Sequence, residues 1–331
     1  MNAAPRVAAA ARAPQDEPAG RAGSILDLVG NTPLLDVTAM APELSPRVRL
    51  FAKLEGCNPG GSVKDRAALW MVRHGLASGA LRPGKTIIDS TSGNTGIALA
   101  MIGAALGYPV TLVMPENVSR ERKRIIAAFG ARVVYSSGLE GSDGAILRCR
   151  ALLEEAPDRY FKPDQYFNPL NPQAHIESTG PEIWTATAGQ VTHFVAGIGT
   201  GGTVMGTGRA LKARNARVQV IAAEPDDALH GLEGLKHMAT SIVPGIYHEA
   251  ELDGKVAVPT DAAYDLVYAL GARLGLIVGQ SSGAALYAAR KVARDLDAGT
   301  VVMIFPDFGN RYLSTNLWAG WDEWRQRHPS A

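Results

Sequence analysis

Short apolar runs alternate with amphipathic or alanine-rich stretches along almost the whole chain, a pattern of strands feeding helices. In the first half, residues 48–54, 86–89, 110–114 and 132–135 predict strands. Between them, IALAMIGAAL after Gly96 predicts a helix that stops at Gly107, a glycine suited to a left-handed helix end. Ser119 predicts the N-cap of a second helix, SRERKRIIAAF, which stops at Gly130. The second half repeats the rhythm, with strands at 193–198, 218–223 and 300–305 and helices at 204–212, 261–274 and 282–296. Such alternation predicts α/β architecture with parallel sheets covered on both faces, and two series predict two lobes. In open α/β sheets ligands sit beyond the carboxyl ends of strands, so the loops that follow strands hold the candidate chemistry.

Composition narrows the function classes. The 331 residues suffice for two packed lobes, and 46% apolar with 20% charged residues is an ordinary globular balance. Thirty-three Lys and Arg against 32 Asp and Glu leave a formal charge of +1, so no basic excess exists to hold a nucleic acid. Cys57 and Cys149 cannot build a disulfide framework or a four-ligand zinc site, which fits a reducing cytoplasmic setting. No apolar run reaches the ~18 residues of a spanning helix, so no membrane role is expected. Residues 1–24, rich in Ala, Pro and Arg without a continuous apolar segment, read as a disordered tail.

Four loops carry candidate chemistry. GCNPGGSVKDR (56–66) places Lys64 just inside a predicted helix start, where partial positive charge disfavours a cation. Partial burial there would depress its pKa and favour a nucleophilic amine; a solvated lysine beside Asp65 and Arg66 is the plainer local reading. STSGNTG (90–96) offers hydroxyls, an amide and backbone N–H groups at a helix N-terminus, either an anion cradle or an ordinary capped turn. GIGTGGTVMGTG (197–208) is a glycine-rich strand-to-helix loop suited to a phosphate. Gly197, Gly199 and Gly202, with Glu224 further on, also permit a nicotinamide reading, while no Walker pattern is present. GQSSGAA (279–285) opens a helix, with Ser281 as an N-cap or more. The seven histidines form no metal-binding pair by spacing; His230 and His237 are placed to share a solvated helix face. There is no G-x-S-x-G elbow.

The motifs GNTPL (30–34), KLEGCNPGGSVKDRAA, TSGNTG, MPENVSRER (114–122), NPLNPQAH (168–175), TGPEIW (179–184), GIGTGGT, SSGAA and RYLST (311–315) follow one another in order. Together they resemble the cysteine synthase and cystathionine β-synthase family of pyridoxal-phosphate enzymes over roughly residues 30–315. The likeness is greatest to its bacterial cysteine synthase B branch of O-acetylserine or O-phosphoserine sulfhydrylases. The resemblance implies fold type II, similar to the tryptophan synthase β chain, with two doubly wound three-layer lobes. One smaller mobile lobe would span 57–168, and a larger one, holding the cofactor phosphate, would combine 25–56 with 169–331.

By the same resemblance, Lys64 forms the Schiff base with pyridoxal 5′-phosphate, which reverses the local reading of that residue. Asn94 binds the 3′ oxygen of the cofactor ring. Gly199, Thr200, Gly201, Gly202 and Thr203 form the phosphate cup, displacing the nicotinamide reading. Ser281 faces the pyridine nitrogen, and its neutral hydroxyl makes the ring a weaker electron sink than an aspartate would. Thr91, Ser92, Thr95 and Gln165 bind the substrate carboxylate. The implied reaction is β-replacement through an aminoacrylate, with Lys64 as the base, to give L-cysteine. Expected partners are a small amino-acid substrate and a sulfur donor, with a protein sulfur carrier among the candidates, and association as a homodimer.

Departures from the family keep alternatives open. Neither a haem-binding segment before Gly30 nor a C-terminal regulatory pair of nucleotide-binding modules is expected from this sequence, which weakens the animal-type cystathionine β-synthase reading. Residues 224–238 match no single donor: Lys236 and His237 would favour a phosphate, and Asp226 and Asp227 oppose it. Pro306 stands where some B-branch members carry a cysteine, so thiosulfate use stays open. A sister β-replacement enzyme of the cystathionine β-synthase or diaminopropionate synthase type, or a non-catalytic partner-binding relative, are the rival readings. Cys57 is expected to serve packing. Trp318, Trp321 and Trp324, three apart, predict a docking helix face.

Overall fold

A computed structural model describes residues 22–91 and 93–329; of the tail expected at 1–24, positions 1–21 lie outside the described residues. In chain order the strands are β1 (Leu34–Asp36), β2 (Val48–Leu54), β3 (Thr86–Ser90), β4 (Val110–Pro115), β5 (Arg132–Ser136), β6 (Tyr160–Phe161), β7 (His193–Gly197), β8 (Gln219–Pro225), β9 (Gly254–Val258) and β10 (Gly299–Phe305). The α-helices are α1 (Lys64–Ala77), α2 (Asn94–Leu106), α3 (Arg120–Ala128), α4 (Gly141–Glu155), α5 (Leu170–Glu177), α6 (Thr179–Ala186), α7 (Gly202–Arg214), α8 (Thr260–Leu274), α9 (Gln280–Ala293) and α10 (Trp321–Arg327).

The described residues fall into two units. One holds those up to Val29 together with Ala68–Asp164; the other holds Gly30–Ala67 and everything from Gln165 onward. Residues 57–67 therefore group with the unit that carries β2, rather than with the 57–168 segment anticipated from sequence. The reason is local: Ser62 bridges Asp307, and the Val63 N–H donates to the Pro306 carbonyl at 2.9 Å, which ties the loop to the end of β10.

The first unit is a parallel four-stranded sheet in the order β5-β4-β3-β6. Ile87, Leu112 and Met114 face a cluster with Ile97 and Met101 of α2, while Ile88 and Val113 face Ala145 and Cys149 of α4. Both faces are covered, so β4 is buried at every position and reads as a continuous apolar run. Helix α2 is buried over most of its length, from Thr95 to Gly103, which explains its near-total lack of polar side chains.

The second unit is a six-stranded sheet in the order β1-β2-β10-β7-β8-β9. All neighbours are parallel except β1, which runs antiparallel to β2 and departs from the all-parallel expectation. Along β10 the side chains alternate: Val301, Met303 and Phe305 join the core with α8 and α9, whereas Val302 and Ile304 join the core with α7. The three tryptophans do dock, on this unit's own α8. Trp324 is buried, and the rings of Trp318, Trp321 and Trp324 all lie within 6.0 Å of the Tyr268 ring centroid. Only Trp321 and Trp324 belong to α10, since Trp318 sits in a preceding 3-10 turn. Among the described residues no helix is long and apolar enough to cross a membrane, and no group of three or more His, Cys, Asp or Glu is placed to hold a metal ion.

Candidate active site

β2, β10 and β7 run side by side in the second unit, and each ends in a chemically unusual loop. The loop after β2 turns tightly and opens α1 at Lys64. Its shape is fixed by two side chains acting on one peptide: the Gly60 N–H donates to Asp65 Oδ2, and Arg311 donates to the Gly60 carbonyl, each at 2.5 Å. The Lys64 side chain is partly buried. Desolvation pushes its amine pKa below the ordinary value, and the charge of Asp307 opposes that shift. Burial is the leading cause, as the sequence reading required for a nucleophilic amine at this position. A lowered pKa raises the share of neutral, nucleophilic amine. Asp65, buried next door, is pushed up to about 7 by desolvation, against the pull of the Gly60 N–H and Arg311.

Below that turn lies a buried ionic network. Arg66 pairs with Glu55 and with Glu182, each at 2.7 Å, and Lys53 pairs with Glu182 at 2.7 Å. The Thr32 hydroxyl donates to Glu55 Oε1 at 2.6 Å. Desolvation works to raise the Glu182 pKa, but hydrogen bonds and charge from Arg66 and Lys53 win and hold it down at about 2. Such a network costs several kcal/mol of desolvation per ion and survives because each oxygen has a donor. Its effect is to hold the first turn of α1 rigidly against β2.

The loop after β7 leads into α7 at Gly202. Gly201 caps the helix at φ +86°, a conformation that a side chain would strain. The first-turn amides lack intrahelical partners and carry partial positive charge. Thr200 and Gly202 are buried and Thr203 is half-buried. Thr203 Oγ1 lies 3.2 Å from His175 Nε2, and Thr179 Oγ1 lies 2.8 Å from Nδ1 of the same buried ring. Desolvation, followed by the charge of Arg66, drives the His175 pKa down to about 3, so the imidazole is neutral. Hydroxyls and amides without an anionic neighbour in this turn fit a phosphate.

Ser281 is buried in the first turn of α9. Gly279, not Ser281, stands at the cap position, which corrects the N-cap reading, and the Gly279 N–H donates to the Asp307 carbonyl at 3.3 Å. Gln165 is buried too, and its carbonyl accepts from Asn171 at 2.7 Å. Thus Lys64, Gly199, Thr200, Gly201, Gly202, Thr203, Ser281 and Gln165 all belong to one unit.

Thr91, Asn94 and Thr95 belong to the other unit, where β3 ends and α2 begins. The Thr91 N–H donates to the Val113 carbonyl at 3.0 Å, and Thr91 Oγ1 accepts from the Gly93 N–H at 3.4 Å. Thr95 is buried and Asn94 half-buried. Ser92 lies outside the described residues. His230 and His237 lie in irregular chain between β8 and β9 and share no helix face. Cys57 is exposed, not packed, because it sits on the outside of the turn before Lys64.

Sequence reasoning missed Asp307, Asn171, His175 and Arg311. None has a spacing that announces a role: Asn171, His175 and Arg311 each join a segment far along the chain, to Thr200, Thr203 and Gly60 respectively. It also missed that residues 232–238 pack on the β7 loop, with the Lys236 N–H donating to the Ile198 carbonyl at 2.8 Å.

Comparison with known proteins bears on this arrangement. A family model described as pyridoxal-phosphate dependent enzyme matches residues 25–307. The chain is 54% identical to a protein named cysteine synthase from Aquifex aeolicus, covering 93% of this chain and 96% of the relative. It is 42% identical to cysteine synthase B of Pseudomonas aeruginosa, covering 89% of this chain and 97% of that one. The fold is similar to the crystal structure of O-acetyl serine sulfhydrylase isoform 3 from Entamoeba histolytica, with a TM-score of 0.86 and 37% identity over 94% of this chain and 98% of that chain.

Proposed function

The chain belongs to the pyridoxal-phosphate dependent enzymes, and from that premise we propose that it is a cysteine synthase. It would be a transferase that replaces the β-substituent of O-acetylserine or O-phosphoserine with a sulfur nucleophile to give L-cysteine. When bound, pyridoxal 5′-phosphate supplies the electron sink that lets a β leaving group depart. The observation that carries the reading is the partly buried amine of Lys64, with a lowered pKa, at the start of the helix after β2, in the same unit as the carboxylate-free N-terminus of α7 after β7.

Lys64 would hold the cofactor aldehyde through its amine and then move the proton at the substrate Cα. Gly199, Thr200, Gly201, Gly202 and Thr203 would hold the phosphate through amides and hydroxyls, and Ser281 would meet the pyridine nitrogen. Asn94 would meet the 3′ oxygen of the ring. Thr91, Ser92, Thr95 and Gln165 would orient the substrate carboxylate. We further place the protein in the cytoplasm as a homodimer, fed by sulfide or a protein sulfur carrier; a light-scattering mass of one chain would reject the dimer.

The test is direct. Purified protein loaded with the cofactor should form L-cysteine from either activated serine plus sulfide, and Lys64→Ala should not. Product formed only with homocysteine or an amine would transfer the protein to a sister β-replacement activity. An unchanged visible cofactor band on adding either activated serine would overturn the enzymatic reading.

A further inference from the structure

We propose that Asn171 is a positioning residue that couples the phosphate cup to the chain carrying Gln165, so that cofactor loading prepares the substrate-carboxylate site; this rests on the roles proposed above for Thr200 and Gln165. Asn171 lies in the first turn of α5 and is 3% exposed. Its side-chain amide has two protons and uses both. One goes to the Gln165 carbonyl at 2.7 Å, the other to Thr200 Oγ1 at 3.1 Å. Its oxygen faces the first residue of α7, where a Cβ on Gly202 would fall 2.0 Å from Asn171 Oδ1. A glycine at 202 is therefore a condition of Asn171 being where it is.

The consequence for Thr200 is specific. Its hydroxyl oxygen accepts from Asn171 and also from the Gly202 N–H at 3.3 Å. With both acceptor positions used, the remaining hydroxyl proton is aimed at whatever fills the cup, which suits a phosphate oxygen. The consequence for Gln165 is equally specific. Its buried carbonyl accepts from an amide that is itself fixed by the cup, so the backbone presenting the Gln165 side chain is fixed by the cup as well. Coupling of this kind is reciprocal: what strengthens one end strengthens the other.

Asn171→Ala removes both bonds while leaving every group proposed to touch cofactor or substrate. In the holoenzyme the KM for the activated serine should rise about tenfold while kcat changes little, the cost of one lost buried hydrogen bond. In the cofactor-free protein, titration followed by tryptophan fluorescence should show a Kd for pyridoxal 5′-phosphate raised by a similar factor. The Kd for pyridoxal, which lacks the phosphate, should not move. In a Gln165→Ala background, Asn171→Ala should add no further rise in KM. Equal weakening of pyridoxal and pyridoxal 5′-phosphate, or a full additive rise in KM in the Gln165→Ala background, would overturn the proposal as mere loosening of the fold.

Should Asn171→Ala fail to fold, Asn171→Asp keeps the volume but replaces the donor facing Gln165 with an acceptor and brings a negative charge to the cup. It must raise both constants, and unchanged constants overturn the proposal. Turnover that is abolished by Lys64→Ala yet indifferent to Asn171→Ala in KM and Kd would sink this inference and spare the function.

Discussion

The starts of α1 and α7 are the same device with opposite contents. Each follows a parallel strand of the second unit's sheet, each is reached through a glycine-rich loop, and each opens a helix whose N-terminus carries partial positive charge. At α1 the first turn holds Lys64, Asp65 and Arg66, all wholly or partly removed from water. At α7 it holds Gly202, Thr203 and Val204, with no charge at all. A helix N-terminus attracts anions by default. α7 leaves that default in place and is a cup. α1 sets a cation where an anion would be favoured: the ionic network pins its first turn, and burial of Lys64 lowers the amine pKa so that a reactive amine results.

The largest expression of this contrast is catalytic. Lys64→Ala should lower turnover by about a thousandfold or more, as expected for loss of a proton-transferring group, and steady-state assays will read it. Next comes the network that only α1 has. Glu55→Gln leaves Arg66 short of a buried counter-charge and should cost about 3–5 kcal/mol in urea unfolding of the holoenzyme. A normal midpoint would show that α1 does not depend on its ions.

The same network sets an acid limit. The Glu182 pKa is held at about 2 in the fold, below its ordinary 4.5, so its stabilising contribution is complete above the ordinary value. That contribution should drain away as the pH falls from about 4.5 towards 2, and Glu182→Gln should flatten this part of a stability-against-pH curve. At α7 the matching change is Gly201→Ala, which forces a side chain into the left-handed region and should cost about 1–2 kcal/mol by thermal melting, with weaker cofactor retention. The smallest effect concerns tuning. Asp307 holds the Lys64 pKa up against burial, so Asp307→Asn should lower it further, which the pH profile of Lys64 labelling in cofactor-free protein will read.

Much of this was legible in the chain. Periodicity located β2, β3, β4, β5, β7, β8 and β10 within a residue or two, most plainly β4, which is buried on both faces and therefore apolar throughout. It passed over β1, β6 and β9, which are short or alternate with exposed residues. Motifs placed the glycine loops at the ends of β3 and β7, since close backbone approach restricts the residue type there. Lys64 was legible only as one of two readings, because the quantity that decides between them is burial, and burial is not a local property.

Local chemistry therefore determined the elements, the anion-ready turns and the list of candidate side chains. Tertiary structure alone decided that Glu182, 116 residues beyond Arg66, closes the network under α1. It alone brought Asp307 to Lys64 and Asn171 between Gln165 and Thr200. The physical reason is that helix and strand preferences act over a few residues, whereas desolvation, ion pairing and shared hydrogen bonds depend on which distant segments the sheet order makes neighbours.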